Sequence, residues 1–158
     1  MASDEQIRQH VSRLLAWEEA HTGFEKAVED IPEASRGKKP HGLPYSPWQL
    51  LEHLRRTQHD ILEFCRNPDY EELKWPDDYW PESAAPESPS EWDHSVAQFL
   101  KDRSALQALA RDTSLDLTAV IPHGSGQTYL REFLLVADHS AYHIGELIIV
   151  RRLLGIWK

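Results

Sequence analysis

Apolar residues return every three to four positions along four long stretches of this chain, and proline and glycine clusters separate them. That pattern leaves helices as the only substantial elements. The first stretch runs from about Asp4 to Asp30 through Ile7, Val11, Leu14, Leu15, Phe24 and Val28, until "IPEASRGKKPHGLPYSP" breaks it. Ser46 is placed to cap a second helix starting at Pro47, with Gln49 at the capping-box position, and Asn67-Pro68 stops it. A third helix is expected from about Glu91 to Arg111, capped by Ser90. A fourth runs from about Thr128 to Leu154, closed by Gly155.

Two connections are long. "PDYEELKWPDDYWPESAAPES" is punctuated by proline, yet Tyr70, Trp75, Tyr79 and Trp80 give it more buriable area than disordered segments carry, so it reads as a packed lid. "DTSLDLTAVIPHGSGQ" holds at most a short extended piece. The expectation is an all-α fold, a four-helix bundle with two long connecting loops, as one domain over residues 1–158.

Composition narrows the partners. Lys and Arg number 17 against 26 Asp and Glu, a net charge of −9, which repels phosphate backbones and argues against nucleic acid. The first residues, "MASDEQIRQHVSRLL", are acidic where a signal peptide is basic, and no uninterrupted apolar run approaches the ~20 residues of a spanning helix. A soluble cytoplasmic protein with a small-molecule partner and no membrane is expected. Cys65 is the single cysteine, so an internal disulfide and a cysteine zinc knuckle are excluded, and histidine and carboxylate remain as metal ligands. Cys65 lies near a helix C-terminus, where the dipole disfavours a thiolate, and reads as packing.

Nine histidines is a high count. His139 and His143 differ by about 40° around the last helix and share a stripe with Leu135, Val136 and Val150, and Glu146 falls on the same stripe. Chance alone yields roughly 0.5 such H-x-x-x-H pairs in a chain with this many histidines, so spacing is weak support. Core-facing imidazoles must nevertheless be satisfied by hydrogen bonds or by a metal. His53 lies on the second helix beside Leu50, Leu54 and Thr57, and facing helices of a bundle are where metal sites assemble. Three neutral imidazoles with an open position would make a catalytic-type zinc or nickel site; the alternative is histidines that separately pack or hydrogen-bond.

The pairing of "SPWQLLEHL" with "TYLREFLLVADHSAYHIGEL", including the pattern H-x-x-x-H-x-G-[QE], resembles the DinB-like superfamily of YfiT-type metal-dependent hydrolases over nearly the whole chain. The resemblance implies an up-down-down-up four-helix bundle with a divalent metal, often nickel or zinc, held by His53, His139 and His143. It also implies thiol chemistry, since characterised relatives include low-molecular-weight-thiol transferases and a mycothiol-dependent isomerase. Many members carry Gln where this chain has Glu146. A carboxylate there is a candidate fourth ligand, a partner holding an imidazole tautomer, or a general base; the competing role is an ion pair with Arg151 or Arg152.

Asp138 points away from that stripe, Glu132 is expected to pair with a neighbouring arginine, and His59 lies too far round its helix to share a metal with His53. His21 and His123 are candidates for a substrate-facing rim, and Trp75 and Trp80 for a pocket wall, whereas Trp17, Trp48, Trp92 and Trp157 read as core. The expected activity is transfer of a low-molecular-weight thiol to an electrophile, or hydrolysis of a small substrate, at the three-histidine metal with Glu146 as catalytic base. The alternative is a non-catalytic metal-binding stress or structural module. A homodimer is expected from the resemblance and from the apolar "LLGIWK" terminus.

Overall fold

The computed structural model describes residues 2–16 and 20–158. Its five α-helices are α1 (Ala2–Leu14), α2 (Phe24–Val28), α3 (Pro47–Arg66), α4 (Pro89–Arg111) and α5 (Tyr129–Leu153). Among the described residues there is no strand, only an isolated bridge between Val120 and Thr128, and the fold is all-α.

Local chemistry accounts for most of the boundaries. At α3 the Ser46 hydroxyl accepts from the Gln49 backbone N–H at 3.2 Å while the Gln49 side chain accepts from the Ser46 N–H at 3.3 Å. The Thr128 hydroxyl caps α5 through the Arg131 N–H, and Gly155 leaves that helix with φ +70°. Two expectations need correction. α4 begins two residues early, because Ser88 rather than Ser90 accepts from the Glu91 N–H. Ser88-Pro89 repeats the Ser46-Pro47 arrangement, and Pro at the first helical position is pre-organised for the turn. The first apolar stretch is also not one helix: α1 ends at Leu14, and α2 starts only after Gly23, which is extended (φ −84°, ψ 179°). Phe24 and Val28 resume helical spacing, but a helix joining them to Leu15 would have to incorporate Thr22 and Gly23, which disfavour it. Trp17, expected in the core, lies outside the described residues.

α3 sits at the centre, packed on both α4 and α5, with α1 against α4 and α2 against α5. Its first half, Leu50, Leu51 and Leu54, shares one core with Trp48, Trp92, Phe99, Leu147 and Val150. Its second half, Ile61, Leu62 and Cys65, shares another with Leu106, Phe133 and Val136. The early turns of α3 therefore meet the late turns of α5, so the two run antiparallel. Burial pushes the Cys65 thiol up to about 12, in keeping with a packing role. By length and composition alone α5 is long and apolar enough to cross a membrane, which the sequence reading did not anticipate because Asp138 and Glu146 interrupt its apolar run.

Glu52 is a buried charge in the α3–α4 contact. Buried Glu52 accepts from Arg55 at 2.7 and 2.9 Å, from Arg56 at 3.1 Å and from the Ser95 hydroxyl of α4 at 2.6 Å. Burial alone would raise its carboxyl, but these donors override it and hold Glu52 at about 2. Glu52 then stabilises the fold above the ordinary glutamate range, and that contribution is lost as pH falls toward 2. Glu52→Gln should cost roughly 3 kcal/mol at pH 7 and flatten the fall in stability between about pH 4.5 and 2, measured by urea unfolding with chelator present in both proteins. Equal stability of the two proteins at pH 7 would contradict this.

Candidate metal centre

The antiparallel pairing of α3 with α5 brings His53 opposite His139 and His143. His139 and His143 are one turn apart and so leave α5 on the same side. The ring nitrogens available to a ligand all lie within 4.8 Å of one another. His53 Nε2 is 3.0 Å from His139 Nε2 and 3.1 Å from His143 Nε2. Burial pushes His53 down to about 4 against the upward pull of its bond to the Tyr79 carbonyl. Burial, with the two neighbouring rings, pushes His139 to about 3, so both are neutral at pH 7.

Proton accounting is informative. His53 Nδ1–H donates to the Tyr79 carbonyl at 3.0 Å, and His143 Nδ1–H donates to Glu146 Oε2 at 2.7 Å. In a neutral ring such a bond assigns the proton to Nδ1, and burial holds His53 neutral. His53 Nε2 then presents its lone pair to His143 Nε2 at 3.1 Å and to His139 Nε2 at 3.0 Å. Ring nitrogens this close need a proton or a metal cation between them. The donor set therefore fits a divalent ion taken by imidazole nitrogen, with a carbonyl and a carboxylate fixing two of the tautomers from behind.

The loop after α3 completes the surroundings. Trp80 stacks on His53 with centroids 3.8 Å apart and planes 5° from parallel, and Tyr45 stacks on its other face at 4.2 Å. Tyr70 and Tyr79 both donate to the Asp60 carboxylate at 2.8 Å, pinning the loop to α3. Tyr142 meets His143 edge-on at 4.8 Å.

A model of the DinB superfamily matches residues 16–147, which include all three histidines. The chain belongs to the DinB superfamily. Neither the curated proteins nor the solved structures gave a match.

The remaining candidate residues of this DinB-superfamily chain are dispersed. Trp80 reaches the cluster, but Trp75 is 70% exposed and rests on Tyr79 instead of walling the site. A residue in a proline-punctuated loop has no periodicity to reveal which way it faces, so the two tryptophans were indistinguishable in sequence. His123 hydrogen-bonds the Phe64 carbonyl at 2.8 Å and lines a cavity of about 590 Å³ with Asp60, Tyr70, Tyr79 and Arg131. His21 is exposed, donates to the Thr22 carbonyl, and borders a different cavity of about 420 Å³ with Leu14, Phe24 and Ala141. As expected, Glu132 pairs with Arg131, Asp138 is exposed and His59 lies outside the cluster, where it meets Asp102 at 2.9 Å. Sequence reasoning missed Tyr45 and the Tyr79 carbonyl. A backbone acceptor has no signature in residue type.

Protein purified without added metal should carry one divalent ion per chain, and His143→Ala should lose it, read by elemental analysis; full retention would refute the assignment. Glu146→Gln should keep the ion but weaken its affinity about 10- to 100-fold in a chelator competition, the usual cost of losing a carboxylate behind a ligating imidazole.

Proposed function

We propose that this chain is a metal-dependent enzyme that transfers a low-molecular-weight thiol to an electrophile or hydrolyses a small substrate. Its metal would be nickel or zinc on His53, His139 and His143. The convergence of the His53, His139 and His143 ring nitrogens within 4.8 Å carries the reading. In this reading α1, α3, α4 and α5 are the four helices of the bundle, in a single domain over residues 1–158. The free, buried Cys65 suits a cytoplasmic setting.

A divalent ion held there supplies Lewis acidity to a thiol or water at its open position. The chain's own residues do the rest. Glu146 Oε2 holds the His143 tautomer, and its other oxygen takes no hydrogen bond among the described residues, which leaves it to accept the proton of the incoming thiol or water. In the transfer reaction a sulfur–carbon bond forms to the electrophile as its leaving group departs with the bonding pair. Trp80, wedged between Tyr45 and His53, keeps water from one side of the imidazoles. The cavity beside Asp60 and His123 lies farther along the same α3–α5 seam, and Tyr79 joins the two, its carbonyl on His53 and its hydroxyl on Asp60. It is the space for the body of the substrate.

The test is the metal-loaded protein with bacillithiol, glutathione or mycothiol and a fluorogenic alkyl halide. Turnover should appear with one of the thiols and vanish on chelation. Glu146→Gln should slow it about 10²-fold, Trp80→Ala should mainly raise KM, and Cys65→Ser should leave it unchanged. Failure of every thiol and of hydrolytic substrates, with the metal in place, would favour the non-catalytic metal-binding module.

A further inference from the structure

The α3–α5 seam repeats its geometry two turns away from the metal centre, with carboxylates in place of imidazoles. Asp60 stands seven residues after His53 on α3 and Glu132 seven residues before His139 on α5, so each lies about 10 Å along its helix on the same stripe. Because the helices run antiparallel, both carboxylates come to the same stretch of the seam, and both line the 590 Å³ cavity beside the centre. We propose that this cavity receives an organic ammonium group, so that the substrate of the metal centre carries a cationic amine about 10 Å from its reacting atom. This deepens the functional reading above and rests on it for where the reacting atom sits.

The charges of the cavity are unbalanced. Asp60, Glu72 and Glu132 line it against one guanidinium, Arg131, which is engaged with Glu132 Oε1 at 2.6 Å. Among the described residues neither Asp60 nor Glu72 is in a salt bridge. Asp60 accepts only from the phenols of Tyr70 and Tyr79, each at 2.8 Å. Burial, the bond to Asp60 and the charges of Asp60 and Glu72 hold the Tyr70 phenol above its ordinary range, so it donates as a neutral group and leaves the Asp60 charge uncancelled.

Glu132 points separately to a ligand. It is only 3% exposed, yet its Oε2 accepts no hydrogen bond among the described residues. That oxygen is not sealed away like the unpartnered Thr57 Oγ1 or Gln58 Oε1, so it opens onto the cavity that its side chain lines. A buried carboxylate oxygen without a donor is costly, and a ligand N–H supplies the donor.

The cation that fits is organic. Among the described residues only the three histidines bring ligand atoms close enough together to hold a metal ion, and the cavity carboxylates do not converge in that way. Part of the remaining wall is aromatic: Phe64 meets Tyr70 edge-on at 5.2 Å and His123 edge-on at 5.3 Å. Carboxylate oxygens beside aromatic rings hold an alkylammonium by charge-assisted hydrogen bonds and cation–π contact. An anionic end would be repelled by Asp60 and Glu72.

Binding of matched thiols to the nickel-loaded chain tests the proposal. Aminohexanethiol spans a comparable length when extended, mercaptohexanol and mercaptohexanoate are its neutral and anionic counterparts, and cysteamine is too short to reach. The thiolate-to-nickel absorption band reads each affinity. Aminohexanethiol should bind at least about tenfold tighter than mercaptohexanol, mercaptohexanoate should bind weakest, and cysteamine should gain less than about threefold over mercaptoethanol. Glu132→Gln should cut the amine-to-alcohol ratio at least about threefold, and so should Glu72→Gln, an exposed position where the exchange does not threaten the fold. Calorimetry of the same loaded chain with hexylammonium and with hexanol keeps the cavity separate from the thiol chemistry, and hexylammonium should be preferred. Thiolate bands with equal affinity for amine and alcohol would overturn the proposal and leave the thiol reading standing. Hexylammonium binding without a thiolate band from any thiol would do the reverse, supporting the cavity assignment and defeating the thiol reading. Preference for mercaptohexanoate, or an amine preference indifferent to both carboxylate variants, would also overturn it.

Discussion

Everything at the centre of this protein depends on the antiparallel seam between α3 and α5. It places three imidazoles in mutual contact where water is largely excluded, and burial holds His53 and His139 neutral. Two of the rings are held from behind, His53 by the Tyr79 carbonyl and His143 by Glu146. His53 Nε2 is left facing the Nε2 atoms of both other histidines. A hydrophobic core would avoid gathering three imidazoles, since polar groups in a low-dielectric interior are costly unless they are paired. Brought together in an otherwise well-packed helix pair, they form a group that could hold a cation.

The supports of that centre are drawn from parts of the chain with different mechanical character. His139, His143 and Glu146 share one helix, so their relative placement follows from helix geometry. His53 depends on α3, which Glu52 ties to α4 through Ser95 immediately beside it in sequence. Trp80 and the Tyr79 carbonyl come from the connection after α3, whose position is set by Tyr70 and Tyr79 on Asp60. The loop is thus an anchored wall. Its stacking on His53 and its hydrogen bond to the same ring restrain one ligand in both tilt and tautomer.

The two faces of α5 have unlike chemistry: histidines and Glu146 inward, exposed Leu134, Tyr142, Ile149 and Leu153 outward. Tyr142 bridges them by its edge contact with His143. A helix that is apolar on its outer side as well as its inner one also passes a length-and-composition test for crossing a membrane, which shows how little that test says about where such a helix resides.

Periodicity, caps and prolines determined the helical class, the starts of α3 and α5 and the stripe shared by His139, His143 and Glu146, because each of these is a local property of backbone and side-chain chemistry. The same local rules were misread where two signals competed, at Ser88 against Ser90 and across Thr22-Gly23, where Phe24 and Val28 resume apolar spacing after a helix break. Tertiary structure alone decided that His53 meets the α5 pair, that Trp80 and not Trp75 covers it, and that Glu146 serves His143 and not an arginine. Those outcomes depend on the register between antiparallel helices and on the path of an irregular loop. Neither is encoded in any one segment, because each is set by how separate segments pack together.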